Sequence, residues 1–540
     1  MRKKIFNLMA VSAAVVSLLS GCSASESGRG SNSDQYLKIY VLEQGYGSDW
    51  CRETIAAFKE QDWVKEKYPE LVVDVDFNDK GSYALDQMNL GSKYNTYDLL
   101  CGATLNAFSG RDDVALDLTD LVYNAKVPGE DITYIEKLNK DYSEAYKYTD
   151  PISGEEKYYL TPYYTGIYGF IYNEDALSSY GLEVPRTTDE FYNALVTIRE
   201  ANKSKYGVDP SAQYGFIQSR EAPYWQMGGG ALTPWWAQYE GVEGYDNFYN
   251  GIVGGERSIG IFKQQGRLEA LKVIEKLVDY NNGFIAPASF NTEFMIAQTS
   301  FLQGSAVFHF NGDYFIDEMK EIKGQLIARG LKVPVIKMMK TPIISSITDK
   351  CTTIADDAEL SAIVKAIDEG STALQGKGYE VNQKDFDKIF EARRIINGSL
   401  TGPAIIPAYA KGKDIAVDFL RFMATDEGIS AYCKGSNGGS IAFDYDIKNK
   451  NPELYKTLEP LHQDRIAYMC NIDDPVHVLR IAESYPLYQY GGVDAFVNMK
   501  FYTLLSAQGK TESAQSFYDE TIKYWTSNLW NTALTKAGLN

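Results

Sequence analysis

The chain has 540 residues, a formal net charge of -19, 40 tyrosines and only three histidines. Its length allows more than one domain. So acidic a surface repels nucleic-acid phosphates and anionic headgroups, which sets nucleic acid aside as a partner and favours neutral or cationic ligands unless a local basic pocket overrides the field.

Met1-Arg2-Lys3-Lys4 form a basic head, Ile5 to Leu19 an apolar stretch, and Leu19-Ser20-Gly21-Cys22 a small-residue cut site. These are the parts of an export signal, too short for a stable membrane span. The cysteine behind the cut resembles that of a bacterial lipoprotein lipobox. The resemblance implies that residues 1–21 are removed and that Cys22 becomes the lipidated N-terminus, on the outer face of the cell membrane. An ordinary secretory signal with an incidental cysteine is the alternative. Ser23 to Asp34 is small and polar without apolar periodicity, so 22–35 is expected to be a disordered tether. No later segment approaches eighteen uninterrupted apolar residues, so the lipid is the one membrane contact expected. Cys51, Cys101, Cys351, Cys433 and Cys470 show no Cys-x-x-Cys spacing, which argues against a zinc ribbon or redox motif. Buried free thiols are the default, and the sequence does not choose a pairing for any disulfide.

From Leu37 the pattern is α/β. Leu37 to Val41 is a short apolar strand, Gly45 and Gly47 break the chain, and Ser48 or Asp49 caps a helix with Trp50, Thr54, Ala57 and Phe58 on one face. Leu71, Val73, Val75 and Phe77 alternate as a second strand. A helix with Ala84, Leu85 and Met88 then leads to a buried strand at Tyr97 to Cys101. This βαβαβ order directs attention to the loops beyond the C-terminal strand ends, Glu43 to Gly47 and Gly102 to Asn106. Glu43, Tyr46 and Thr104 are the candidates there. The pattern restarts near residue 158, with strands at Tyr158 to Tyr164 and Ile167 to Asn173, a Gly181 break, and a helix for which Thr188 is the expected N-cap.

The run Gly169-Phe170-Ile171-Tyr172-Asn173-Glu174-Asp175-Ala176-Leu177, followed by Gly181-Leu182 and Pro185-Arg186-Thr187-Thr188-Asp189-Glu190-Phe191, resembles the signature of family 1 extracellular solute-binding proteins, the sugar receptors of ABC importers. Phe301 to Tyr314 is similar to the family's helix-then-strand element with a ligand contact after its glycine. The family often has an aromatic where this chain has Asp313, with Tyr314 as a substitute. Ala408 to Leu420, then Ala424 to Gly428, is similar to the late helix pair. The resemblance implies a two-lobed periplasmic-binding-protein-like fold (type II), its lobes joined by hinge crossings around a cleft. Lobe 1 would hold 36–150 and 340–442, and lobe 2 would hold 151–339 and 443–540. An acidic helical insertion at about 352–401 exceeds a minimal member and is expected to be a hairpin on the first lobe.

A second departure is the aromatic run Ala222 to Tyr239, whose three glycines and two prolines place its rings on a loop or at element ends. A sugar offers C–H faces and a ring of hydroxyls, so its site needs flat aromatic walls beside carboxylates and amides. Trp225, Trp235 and Trp236 are candidate walls, against the alternative that they fill the second lobe's core. Tyr163 and Tyr488 are further candidates, the latter because the resemblance puts a segment such as Tyr485 to Tyr490 beside the cleft.

Enzymatic readings find little support. With 72 acidic residues a carboxylate pair is no evidence for a glycosidase. His309, His462 and His477 lie outside any His-Glu-x-x-His or triad context, and no Gly-x-Ser-x-Gly elbow or Walker loop occurs. Asp74-Val75-Asp76-Phe77-Asn78 begins like a calcium loop, but Asp79 and Leu85 stand where Gly and Glu are required. The expectation is a non-catalytic, cofactor-free and metal-free lipoprotein, monomeric, that binds a neutral mono- or oligosaccharide and delivers it to ABC permease subunits. A receptor for a peptide or other non-sugar solute, and an extracellular polysaccharide-degrading enzyme, are the alternatives.

Overall fold

The computed structural model describes residues 35–43, 45–102, 105–150, 153–209, 211–221, 230–371, 381–398, 402–439, 441–469, 476–480, 482–495 and 505–539. Two large sheets organise them. The first runs in the order Val72–Asn78, Tyr36–Leu42, Leu99–Cys101, Gly402–Ile405 and Leu160–Tyr164. Tyr36–Leu42 is parallel to both its neighbours, and Gly402–Ile405 is antiparallel to both of its own. Parallel neighbours need crossovers, which the helices Asp49–Glu60 and Tyr83–Leu90 supply.

In the second sheet the order is His477–Leu479, Ile395–Gly398, Ile167–Asn173, Ala306–Gly312 and Tyr214–Phe216. Ile336–Met339 pairs with the far half of the edge of Ile167–Asn173 that Ile395–Gly398 begins. Ala306–Gly312 is buried along its whole length, as a strand covered on both faces must be.

The sheets belong to two lobes joined by crossings. Leu160–Tyr164 lies in the first sheet and Ile167–Asn173 in the second, so Thr165 and Gly166 form one crossing. The chain returns between Gly398 and Gly402. It crosses again between Tyr445 and Pro460. On the first side, Asp444 N–H donates to Lys137 O (3.0 Å). On the second, the Tyr468 hydroxyl of helix Pro460–Met469 donates to Met338 O (2.6 Å).

Two details differ from the sequence reading. The cap of helix Thr188–Asn202 is Thr187, whose Oγ1 accepts the Glu190 N–H (3.1 Å), while Thr188 bonds Ser345. The acidic helices, Asp357–Asp368 and Gln383–Arg393, form as expected but pack on the other lobe. Leu360, Ile363, Val364, Phe386 and Ile389 enter the second lobe's core. Arg393 clasps Asp368 through Nε (3.0 Å) and Nη2 (2.8 Å), and a third nitrogen reaches Thr341 O (2.9 Å). The reason is the apolar stripe of each helix: Gln383–Arg393 meets helix Leu232–Glu240, and Asp357–Asp368 packs on Gln383–Arg393 and on Ser345–Lys350, so most of 340–398 sides with the second lobe.

Cys51, Cys101, Cys351 and Cys433 are free thiols. Among the described residues no helix is long and apolar enough to cross a membrane.

Candidate ligand site at the interlobe seam

Two first-lobe loops reach the seam. The strand Tyr36–Leu42 ends in a loop turned at Gly47 (φ +67°) and pinned by Trp50 Nε1 donating to Gly47 O (2.9 Å). Tyr46 projects from it, buried, and its hydroxyl donates to the Asp313 carboxylate of the other lobe. Gly45 must stay small, since a Cβ there would come 2.4 Å from the Tyr314 ring. The second loop is the turn after helix Asp426–Gly435. Asn437 (φ +48°) and Gly438 (φ +87°) take the left-handed region that ends many helices. The Asn437 amide donates to Asp317 of the opposite lobe.

From the second lobe come the end of Ala306–Gly312 and the helix Pro460–Met469. Asp313 is fixed against the central strand, its N–H donating to Ile167 O (3.0 Å) and its Oδ1 accepting from Ile167 N–H (3.3 Å). His462 and Arg465 lie among the apolar residues Leu461, Ile466 and Met469 of the helix. Arg465 Nη2 donates to Gly438 O and to Gly439 O (2.9 Å), and its Nε stands 3.7 Å from Asp313 Oδ2, both side chains fully buried. His462 Nε2 is 3.3 Å from Asp317 Oδ2, although direction denies it a hydrogen bond.

This seam carries an unmet hydrogen-bonding capacity. Arg465 Nε and Nη1, both His462 ring nitrogens, Asp317 Oδ2 and the Tyr432 hydroxyl are sealed from water without a hydrogen-bond partner. Each such group costs about 1–3 kcal/mol, so a polar ligand that supplies partners is stabilised there. Burial pushes the phenols of Tyr46, Tyr314 and Tyr432 well above the ordinary tyrosine range, and the carboxylate of Asp313 adds to the effect. These phenols stay neutral and can both donate and accept.

The sequence candidates divide sharply. Tyr46, Asp313 and Tyr314 come together at the seam, with the Tyr46 and Tyr314 rings edge to face at 5.8 Å. Tyr163 lies behind it, its ring against Trp50 (4.9 Å) and its hydroxyl 3.4 Å from Cys51 Sγ, in the first lobe's core. Glu43 is exposed on the loop. Trp235 and Trp236 do not wall a cleft: both are fully buried in the second lobe. Trp235 Nε1 donates to Pro342 O (3.0 Å) and Trp236 Nε1 to Gln264 Oε1 (2.9 Å). They sit inside a helix, Leu232–Glu240, because Pro234 falls in its first turn, where no N–H is needed. Tyr488 packs edge-on against Tyr249 (6.2 Å) in that lobe's core cluster, beside Tyr485, which stacks on Tyr249 at 5.1 Å. Cys22, Thr104 and Trp225 lie outside the described residues.

Asn437, Asp317, His462 and Arg465 were not singled out as site residues. Their signal was a His and an Arg three apart on the apolar stripe of one helix, and an Asn-Gly-Gly run at a helix end. A groove of about 360 Å³ lies away from the seam between helices Thr188–Asn202 and Gln265–Val278. Its lysines are already paired, Lys276 with Asp189 (3.3 Å) and Lys272 with Glu269 (2.8 Å).

Two α/β lobes meeting on a buried polar seam define a two-lobed binding protein. Residues 52–429, well over half the chain, match the family described as bacterial extracellular solute-binding protein, and the chain belongs to that family. Comparison with curated proteins found no match. Solved structures show the same fold. A chitin oligosaccharide binding protein is 14% identical, with a TM-score of 0.56 over 93% of this chain and 99% of its own. A protein from work on xylan utilization by Caldanaerobius polysaccharolyticus is 14% identical, with a TM-score of 0.54 over 91% of this chain and all of its own. A family 1 extracellular solute-binding protein from Bifidobacterium longum subsp. infantis is 14% identical, with a TM-score of 0.51 over 92% and 99%.

Proposed function

We propose that the protein is the substrate-binding lipoprotein of an ABC importer, capturing a neutral mono- or oligosaccharide at the interlobe seam and delivering it to membrane permease subunits. The observation that carries this reading is the set of unpartnered buried groups on Arg465, His462, Asp317 and Tyr432. Carboxylate acceptors, guanidinium and imidazole nitrogens, and phenol faces within one seam suit the alternating donors and C–H surfaces of a sugar. The chitin oligosaccharide binding protein of the same fold adds support. Contacts from both lobes coexist only when the lobes meet, so a bound solute shifts the population towards closure, and the permease distinguishes loaded from empty receptor. No covalent step is required of this chain. Lipid on Cys22 would hold the receptor at the outer face of the membrane.

Calorimetric titration of the chain from Ser23 onward, against neutral mono- and oligosaccharides and with each mixture checked for product, tests the reading. Saturable binding without turnover is the expected result. Product formation would replace the receptor with an enzyme, and a folded protein silent to every sugar would direct the search to a peptide or another non-sugar solute.

A further inference from the structure

We infer that His309 is a positioning residue for the solute site: acting through Asn311, it fixes the backbone at Gly312 and thereby the placement of Asp313 and Tyr314 at the seam. That Asp313 and Tyr314 meet a solute rests on the proposed function, whereas the relay from His309 to Gly312 is a property of the second lobe alone.

The relay runs along one face of strand Ala306–Gly312. Side chains alternate in a strand, so His309, Asn311 and, just past its end, Asp313 share a face. Phe308 and Phe310, between them, enter the second lobe's core. His309 is sealed from water, its ring against Phe301 (5.4 Å) and Phe315 (6.0 Å). Its Nδ1 lies 2.7 Å from Ile217 O. A carbonyl oxygen can only accept, so Nδ1 carries a proton. Burial lowers the imidazole pKa to about 4, with the bond to Ile217 opposing, so the ring is neutral and Nε2 keeps its lone pair. Nε2 therefore accepts from Asn311 Nδ2 (3.2 Å). With its nitrogen committed there, Asn311 turns Oδ1 to the Gly312 N–H, which donates to it (2.7 Å). A flipped amide would set acceptor against acceptor at His309 and donor against donor at Gly312. One tautomer thus sets one amide orientation, and that orientation holds one backbone N–H.

The site depends on the residue so held. The Tyr314 ring folds back over Gly312, where any Cβ would run into it, and stands edge-on to the rings of Tyr46 (5.8 Å) and Tyr168 (6.4 Å). Asp313, next in the chain, is bonded to Ile167 through its own N–H (3.0 Å). A shift of Gly312 therefore moves the carboxylate and the aromatic face together. Stability alone gives little reason for the polar pair, since apolar groups of the same shape in both places can be nearly neutral.

The test uses the full chain and two substitutions that split the imidazole. Asn puts an amide where the ring has Nδ1, and Gln puts one where it has Nε2. His309→Asn should keep the bond to Ile217 O and lose the acceptor for Asn311, while His309→Gln should keep that acceptor. In the sugar-free chain, amide exchange at Gly312 to Tyr314 should then speed about tenfold in His309→Asn and stay within about twofold of native in His309→Gln. Calorimetric titration with chitotriose should follow the same order, about tenfold weaker in His309→Asn and near native in His309→Gln. A native chain that does not bind chitotriose leaves the exchange pattern to decide the relay by itself, while the proposed function answers to its own panel of sugars. Only three histidines occur in the chain, so nitrogen NMR resolves the His309 ring, which should be neutral with its proton on Nδ1 at about pH 6. A proton on Nε2, equal exchange in the two variants, or unchanged protection at Gly312 to Tyr314 in His309→Asn would each overturn the inference. If His309→Asn does not fold, Asn311→Ala removes the middle of the relay. It must then give the same local loss of protection while exchange along Tyr214–Phe216 stays native, and any other pattern counts against the relay.

Discussion

Arg267 and Arg465 are both sealed from water, one in the core of the second lobe and one at the seam. Arg267 is held within its own lobe. Nη1 donates to Phe262 O (2.8 Å), Nη2 to Ala495 O, and the rings of Phe248, Phe262 and Tyr518 surround the cation at 5.4, 5.8 and 5.7 Å. Desolvation lowers its pKa to about 10, with the phenols of Tyr518 and Tyr249 opposing. Arg465 instead divides its partners between lobes and keeps two nitrogens unpartnered. Burial alone therefore does not tell a structural charge from a functional one. The difference lies in where the partners come from.

The strongest way to break this contrast is at the tryptophans expected to wall the cleft. Trp235→Ala should lower the stability of the second lobe by about 3–5 kcal/mol, seen as an earlier urea midpoint, because a full core side chain is removed. An unchanged midpoint would return Trp235 to the list of candidate walls. Arg267→Met should cost about 3 kcal/mol, since two carbonyls lose a charged donor and no water can reach them. Arg465→Met should cost less than half of that in the same unfolding experiment, because separated lobes let water solvate Asp313. Equal losses would erase the distinction between core and seam.

The sequence made the fold legible where periodicity and turn residues agree. Tyr36–Leu42, helix Asp49–Glu60 and Ile167–Asn173 each lie within a residue or two of their expected places, because alternation and glycine breaks are local signals. Asp313 and Tyr314 became visible through resemblance, and Tyr46 through its place beyond a strand end. The rest depended on partners distant in the chain. Pro234 read as a breaker, yet in the first turn of a helix it costs nothing. The helices after Asp356 carry an apolar stripe that says they pack on something, without saying on which lobe. Arg465 looks like any helical arginine until Gly438 and Gly439, more than twenty residues earlier, are seen to accept from it.

Asn437→Ala sharpens the seam side. Loss of its donation to the Asp317 carboxylate should shift the balance of closed to open lobes by about 1.5–3 kcal/mol while leaving the urea midpoint of the second sheet close to that of the native chain. Faster exchange at the seam with an unmoved midpoint is the expected pair of results. A fall in the midpoint alone would make Asn437 a capping residue of its helix and no more.

The smallest effect concerns the helix that carries His462 and Arg465. Asp464 Oδ2 accepts from Met338 N–H (3.3 Å), fastening this helix to the second sheet. Burial pushes its pKa up from 3.8 to about 6, with Glu174 adding to the rise and Lys337 and the Met338 N–H opposing it. A carboxyl whose folded pKa is raised stabilises the fold fully below its unfolded pKa, and that contribution is lost as pH rises through about 6. At pH 8 the ionised group is therefore a cost, and Asp464→Asn should raise stability on the order of 1–2 kcal/mol after allowance for solvent screening. The gain should shrink between about pH 6 and pH 4 and vanish below, since both chains are then neutral at this position. Urea midpoints of the two chains across that range measure the difference directly. A gain that persists at pH 4 would mean that Asp464 acts through its shape rather than its charge, and the helix would then be held to its lobe by packing.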